Sequence, residues 1–167
     1  MFASACRLAG AASVAALAAS FAAPASADLL ARKDLSLDTA VTIATTAAAT
    51  CKGQGYRVSV HVVGRNGEVL VALRGDDASP HTMENSMRKA LTSRGQRIPS
   101  GQFAENVAKT PNAGGLRLGN MIPARGALPI KVGNDVIGSA GASGAPGGDK
   151  DEACVKAGID KVAADLK

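Results

Sequence analysis

Seven residues with almost no side chain follow Ile137: Gly138-Ser139-Ala140-Gly141-Ala142-Ser143-Gly144. The segment before them reads as a hairpin. Leu128, Ile130 and Val132 alternate with Pro129 and Lys131, the period-two pattern of a half-buried strand. Gly133-Asn134-Asp135 is turn chemistry, since Gly and Asn accept positive φ. Val136 and Ile137 open the return strand, which then runs into the small residues. A strand this poor in side chains fills no core, so something must lie close against its backbone. A packed helix, a partner subunit and a flat ligand are the three candidates. The stretch reads as the wall of a binding site in a small secreted α/β protein.

The first 27 residues read as an export signal rather than as fold. Arg7 supplies the positive start, Leu8 to Ala23 is an uncharged run of small and apolar residues, and Ala25-Ser26-Ala27 is a small-x-small cleavage site. Cleavage there leaves a short leader over 28–34 and one domain over 35–167, with no membrane span. One of the three cysteines, Cys6, leaves with the signal. The remaining pair, Cys51 and Cys154, suits a disulfide in an oxidising periplasmic or extracellular space. Two unpaired buried thiols are the alternative. Between Ser86 and Lys131 eight basic residues face one acid, Glu105, a bias that attracts anions or forms a solvated basic face. Nucleic acid is a poor match, because only Tyr56 and Phe103 remain as aromatic stacking groups after cleavage.

Helical spacing places Leu37, Ala40, Val41, Ala44, Ala47, Ala48 and Cys51 on one face, behind Ser36 as cap and ahead of Gly53 and Gly55. Arg57 to Val63 and Val69 to Arg74 flank Asn66-Gly67, a strong hairpin signal. His61 falls mid-strand and reads as a satisfied structural histidine rather than a ligand. A helix follows from about Thr82 to Arg94, with Met83, Met87, Ala90 and Leu91 as its apolar stripe, then a shorter one over Gln102 to Lys109. Met121-Ile122 is a candidate short strand. A final helix, starting at Cys154, buries Val155, Ile159, Val162, Ala163 and Leu166, with Asp149, Asp151 and Glu152 complementing the dipole at its start. The expected architecture is α/β: an antiparallel sheet of four or five strands, terminal helices on one face, and shorter middle helices closing an edge or the other face. Antiparallel terminal helices would bring Cys51 to Cys154.

Familiar catalytic patterns are missing. There is no C-x-x-C-H, no P-loop ending, no H-E-x-x-H and no G-x-S-x-G elbow, and the chain has only two histidines. What is left surrounds the middle loop and helix. His81 is a candidate iron ligand, Arg74, Arg88 and Lys89 are nearby cations, and Met83 is a soft apolar neighbour. An imidazole or a hydroxyl for iron, cations for carboxylates and a flat small-residue wall would suit haem. The other reading of His81 is a turn residue beside Pro80.

The runs YRVSVHVVGRNGEVLVALRGDDASPHTMENSMRKALTSR and ALPIKVGNDVIGSAGASGAPGGDKDEAC resemble the GlcG/HbpS-type haem-binding proteins. The similarity spans about Leu35 to Leu166. It rests on the Asn-Gly hairpin, Ser86-x-x-Lys89-Ala90, Gly126-x-x-Pro129-Ile130, and Gly138 with its small-residue run, in that order. The resemblance implies a profilin-like fold assembling into homo-oligomers from dimers to octamers. It implies haem binding in some members and corrinoid-linked or glycolate-operon contexts in others. It points to His81 and Thr82 for the iron and to the Arg88-Lys89 segment as pocket lining or an oligomer contact. With the export signal and cysteine pair, the expectation is an exported haem carrier, store or sensor accessory. The alternatives are a small enzyme acting on haem or a 2-hydroxy acid, and a structural module for another ligand such as a corrinoid.

Overall fold

The computed structural model describes residues 28–110 and 114–167; the expected signal over 1–27 lies outside the described residues. Helix α1 (Leu37–Gly53) starts where Ser36 Oγ accepts the Thr39 amide at 3.2 Å. Strands β1 (Ser59–Val63) and β2 (Val69–Arg74) form the expected hairpin, with Gly67 at φ 84 in its turn. Helices α2 (His81–Gln96) and α3 (Ser100–Lys109) follow, then a single 3-10 turn (Gly114–Arg117). Strands β3 (Ala127–Val132) and β4 (Asp135–Ser143) form the second hairpin, and α4 (Gly148–Lys161) ends the fold.

The four strands make one antiparallel sheet in the order β2-β1-β4-β3. Helices α1 and α4 cover one face and α2 covers the other. Each helix pairing has a residue-level cause. On α1, Ala40, Ala44 and Ala47 are fully buried beside Ile43. Gly158 of α4 lies so close to the Ile43 carbonyl that any Cβ there would collide with it. Small residues thus let two helices approach backbone to backbone, and Val60, Val62, Ile130, Ala140 and Ala142 of the sheet complete the core below them.

The disulfide joins Cys51 in the last turns of α1 to Cys154 in α4, with Cα atoms 5.6 Å apart. Helix α4 begins at Gly148, earlier than its apolar stripe indicates, so Cys154 sits in its second turn. Leu37 and Val41, expected on the buried face of α1, are 61% and 40% exposed, because Ile43 takes the inward position instead. Met121 and Ile122 form no strand; the Ile122 amide donates to Thr92 Oγ1 at 2.9 Å and the segment hangs on α2. Arg65, in the first hairpin turn, donates to Asp34 (2.9 Å), Asp135 (2.7 Å) and the Lys33 carbonyl (2.6 Å), tying the approach to α1 to both hairpin turns.

The side-chain-poor strand is covered by the chain itself. β4 is central, and its residues from Val136 to Ser143 are buried. A Cβ on Gly141 would lie 2.6 Å from the Ser86 carbonyl oxygen and 2.8 Å from the Ala90 amide. Gly141 is therefore where α2 rests on the sheet, while Gly138 meets Leu35 and the Val63 carbonyl. Of the three candidates for what lies against this backbone, the packed helix is the one found. The binding-wall reading of Gly138–Gly144 is corrected accordingly for Gly138 to Ala142, while Ser143 and Gly144 at the strand's end line a cleft.

Candidate functional site

The face between α2 and the sheet is polar. Thr82, Ser86, Lys89, Thr92 and Ser93 are buried on α2, above Ser59, His61, Ser139 and Ser143. The expected apolar stripe is displaced: Ala90 is buried, but Met83, Met87 and Leu91 are only half-buried. All of these groups but Ser143, which lines a cleft, have a side-chain hydrogen bond, as burial requires. Thr82 Oγ1 donates to the Ser79 carbonyl at 2.6 Å and accepts from Ser59 Oγ at 2.8 Å. Ser86 Oγ donates to the Met83 carbonyl at 3.0 Å and accepts from His61 Nδ1 at 2.8 Å. Ser139 Oγ donates to the Ala90 carbonyl at 2.6 Å. His61 is thus the satisfied core histidine expected from its position, and burial lowers its affinity for a proton.

This layer opens at the start of α2 into a cleft of about 720 Å³. Tyr56 and Arg57 form one side, Ser79, His81 and Thr82 another, and the loop Gly144–Gly148 a third. On its floor lies a buried ion pair: Lys89 Nζ donates to Asp151 Oδ2 at 2.8 Å and to the Ala142 carbonyl at 3.1 Å. Asp151 Oδ1 accepts the Ala145 amide at 2.9 Å, which fixes the loop. Burial raises the Asp151 carboxyl above its ordinary range, against the opposing pull of Lys89. A second groove of about 600 Å³ shares Gly55, Tyr56, Arg57 and Asp77 with the cleft and continues over Ala48, Ala49, Val58 and Leu73.

The structure brings His81, Thr82 and Lys89 together around one cleft. His81 is exposed as the first residue of α2, and no hydrogen bond to its ring occurs among the described residues. Thr82 is committed to Ser59 and Ser79, and Lys89 to Asp151. Arg74 lines the neighbouring groove, its guanidinium held by the Ala78 carbonyl at 3.0 Å. Arg88 and Met83 are not among the residues lining either space; Arg88 reaches Glu84 at 3.3 Å and the Met121 carbonyl at 3.0 Å.

Sequence reasoning assigned Asp151 to the helix dipole and missed its role as the partner of Lys89. The signal was there. Asp151 falls three and four residues before Cys154 and Val155, on the inward face of α4, and Lys89 falls three after Ser86 on the inward face of α2.

Tyr56 and the Ala48, Ala49 and Leu73 surface of the adjoining groove offer apolar contact for a planar ring, Arg57 offers a cation shared by both spaces, Lys52 in the groove is paired with Asp76 at 3.3 Å, and His81 offers an uncommitted imidazole. This donor set fits haem. Among the described residues no group of three or more His, Cys, Asp or Glu side chains could hold a bare metal ion, and no helix is long and apolar enough to cross a membrane.

A four-stranded antiparallel sheet with paired terminal helices on one face and a polar-faced helix on the other defines a mixed α/β domain with a cleft at the start of the covering helix. The chain belongs to the HbpS-like family, whose model, described as haem degrading protein HbpS-like, matches residues 35–160. A crystal structure of HbpS is 32% identical, covers 81% of this chain and 94% of its own, and superposes with a TM-score of 0.77. A double mutant of Streptomyces reticuli HbpS is 31% identical over 92% of this chain and 99% of that one, with a TM-score of 0.76. PduOC, solved as a haem complex, is 21% identical over 75% of this chain and 93% of that one, with a TM-score of 0.69; at that identity it shows the shared fold. No curated protein sequence matches the chain.

Proposed function

We propose that this protein binds haem in the cleft beside His81 and serves outside the cytoplasm as a haem carrier, store or sensor accessory. One observation carries the reading: in a member of a haem-named family, an exposed, uncommitted imidazole lines a cleft with Arg57, and Arg74 lines the adjoining groove. Bound haem would supply a planar apolar ring, two carboxylates and an iron able to take a side-chain ligand. In this reading His81 ligates the iron, Arg57 and Arg74 neutralise carboxylates, and Tyr56 packs on the ring. Thr82 and Lys89 shape the floor through their own bonds. The leading 27 residues direct export, and 28–34 link the signal to the domain. The buried disulfide accords with that compartment. Assembly into a homo-oligomer, from dimer to octamer, completes the proposal.

Hemin titration of the purified protein, followed by the Soret band, tests it. A saturable shift at micromolar hemin is expected, and its absence overturns the reading. The family's description as haem degrading favours one second reading, breakdown of the bound haem. Soret absorbance lost on adding peroxide or a reductant with oxygen, without a second protein, would mark that activity.

A further inference from the structure

Away from the cleft, the last turns of α2, the first hairpin turn and the Leu118–Met121 segment enclose a concavity of about 250 Å³. Arg94 lines it. The Arg94 Nε is buried without a hydrogen-bond partner, and no ion pair to Arg94 forms among the described residues. Its charge environment is unbalanced. Burial first, and then repulsion from Arg97 and Arg65 that outweighs the attraction of Asp135 and Glu68, make its cationic form harder to hold. Arg65 lends charge but few donors, because its guanidinium is already spent on Asp34, Asp135 and the Lys33 carbonyl. A half-buried guanidinium without an acceptor, beside two like charges and an open concavity, is a site that an anion would complete.

The rest of the lining says which anion. Asn66 and Asn120, which carry amide donors, line it together with the apolar Leu91, Leu118 and Met121. Leu118 is 53% exposed, an uncovered apolar side chain at the rim. Bare phosphate or sulfate would leave that surface wet. We propose that this concavity binds a small monocarboxylate with a short apolar tail, the carboxylate on Arg94 and the tail against Leu91, Leu118 and Met121. The site is separate from the cleft beside His81 and does not depend on haem.

The test is NMR of the full chain labelled with nitrogen-15, titrated with butyrate. The Arg94 Nε–Hε signal and the Asn66, Gly67 and Gly95 amides should shift and saturate. Arg94→Gln should weaken butyrate binding about tenfold or more, read at those amides, as loss of a charge-assisted bond requires. Leu118→Ala should weaken it less, and butyramide should not saturate. Both variants should keep the melting temperature and hemin titration of the wild type, since neither side chain makes a bond that holds the fold. A linear, unsaturable response to butyrate overturns the proposal. So does equal binding by Arg94→Gln. Phosphate binding as tightly as butyrate overturns the assignment of a tailed carboxylate and leaves a site that reads charge alone.

Discussion

Lys89 Nζ lies 2.8 Å from Asp151 Oδ2, and their side chains are only 7% and 4% exposed. This contact joins α2 to α4 across the end of β4 and forms the cleft floor. Buried pairs owe their importance to what remains when one partner goes. Lys89→Met leaves a buried carboxylate, and we expect it to cost about 3–5 kcal/mol in urea unfolding. Combining it with Asp151→Leu removes both charges and should recover part of that loss. A single replacement costing less than about 1 kcal/mol would show the pair to be dispensable.

Much of the frame around this pair was legible beforehand, for physical reasons. The first hairpin followed from Asn66-Gly67, and the α1–α4 pairing followed from small residues and cysteines at helical spacing. The middle layer was not legible. Polar residues such as Thr82, Ser86 and Thr92 ordinarily mark an outward face, whereas here the sheet beneath is equally polar and the two satisfy one another. For the same reason the half-exposed methionines of α2, at helical spacing, imitate a buried stripe. The small-residue strand signalled close approach correctly, but spacing alone does not say whether a helix or a ligand makes it. Of the site, His81 at the start of α2 was visible, while the Lys89–Asp151 partnership required three-dimensional proximity between residues 62 positions apart.

Gly141 carries the approach of α2. Gly141→Ala places a methyl group against the Ser86 carbonyl and the Ala90 amide, both backbone atoms that cannot swing aside. The helix must lift, at an expected cost of about 1–3 kcal/mol. Thermal unfolding measures this, and an unchanged melting temperature would contradict the packing described.

The disulfide spans 103 residues of sequence. In the chain-entropy model, closing such a loop stabilises the fold by about 4–5 kcal/mol. The Cys51→Ser, Cys154→Ser protein should therefore unfold at much lower urea than the wild type, and adding a reductant under denaturing conditions should abolish the difference.

His61 makes stability depend on pH. Burial holds its pKa in the folded protein below the ordinary value of 6.5. The unfolded chain therefore binds the proton more readily. The stabilisation is fully present above about pH 6.5 and is lost as pH falls below it. Melting temperatures compared at about pH 7.5 and pH 5.5 should fall with acidity, and His61→Gln should flatten that slope. An equal slope in the variant would assign the acid sensitivity elsewhere.

The central claim is that haem sits beside His81. The most direct measurement is hemin titration of His81→Ala next to the wild type, with Arg88→Ala as a control outside the cleft lining. The account predicts a displaced Soret band and binding at least about tenfold weaker for His81→Ala, a loss of about 1.4 kcal/mol, with Arg88→Ala unchanged. Identical spectra and affinities for wild type and His81→Ala would contradict it.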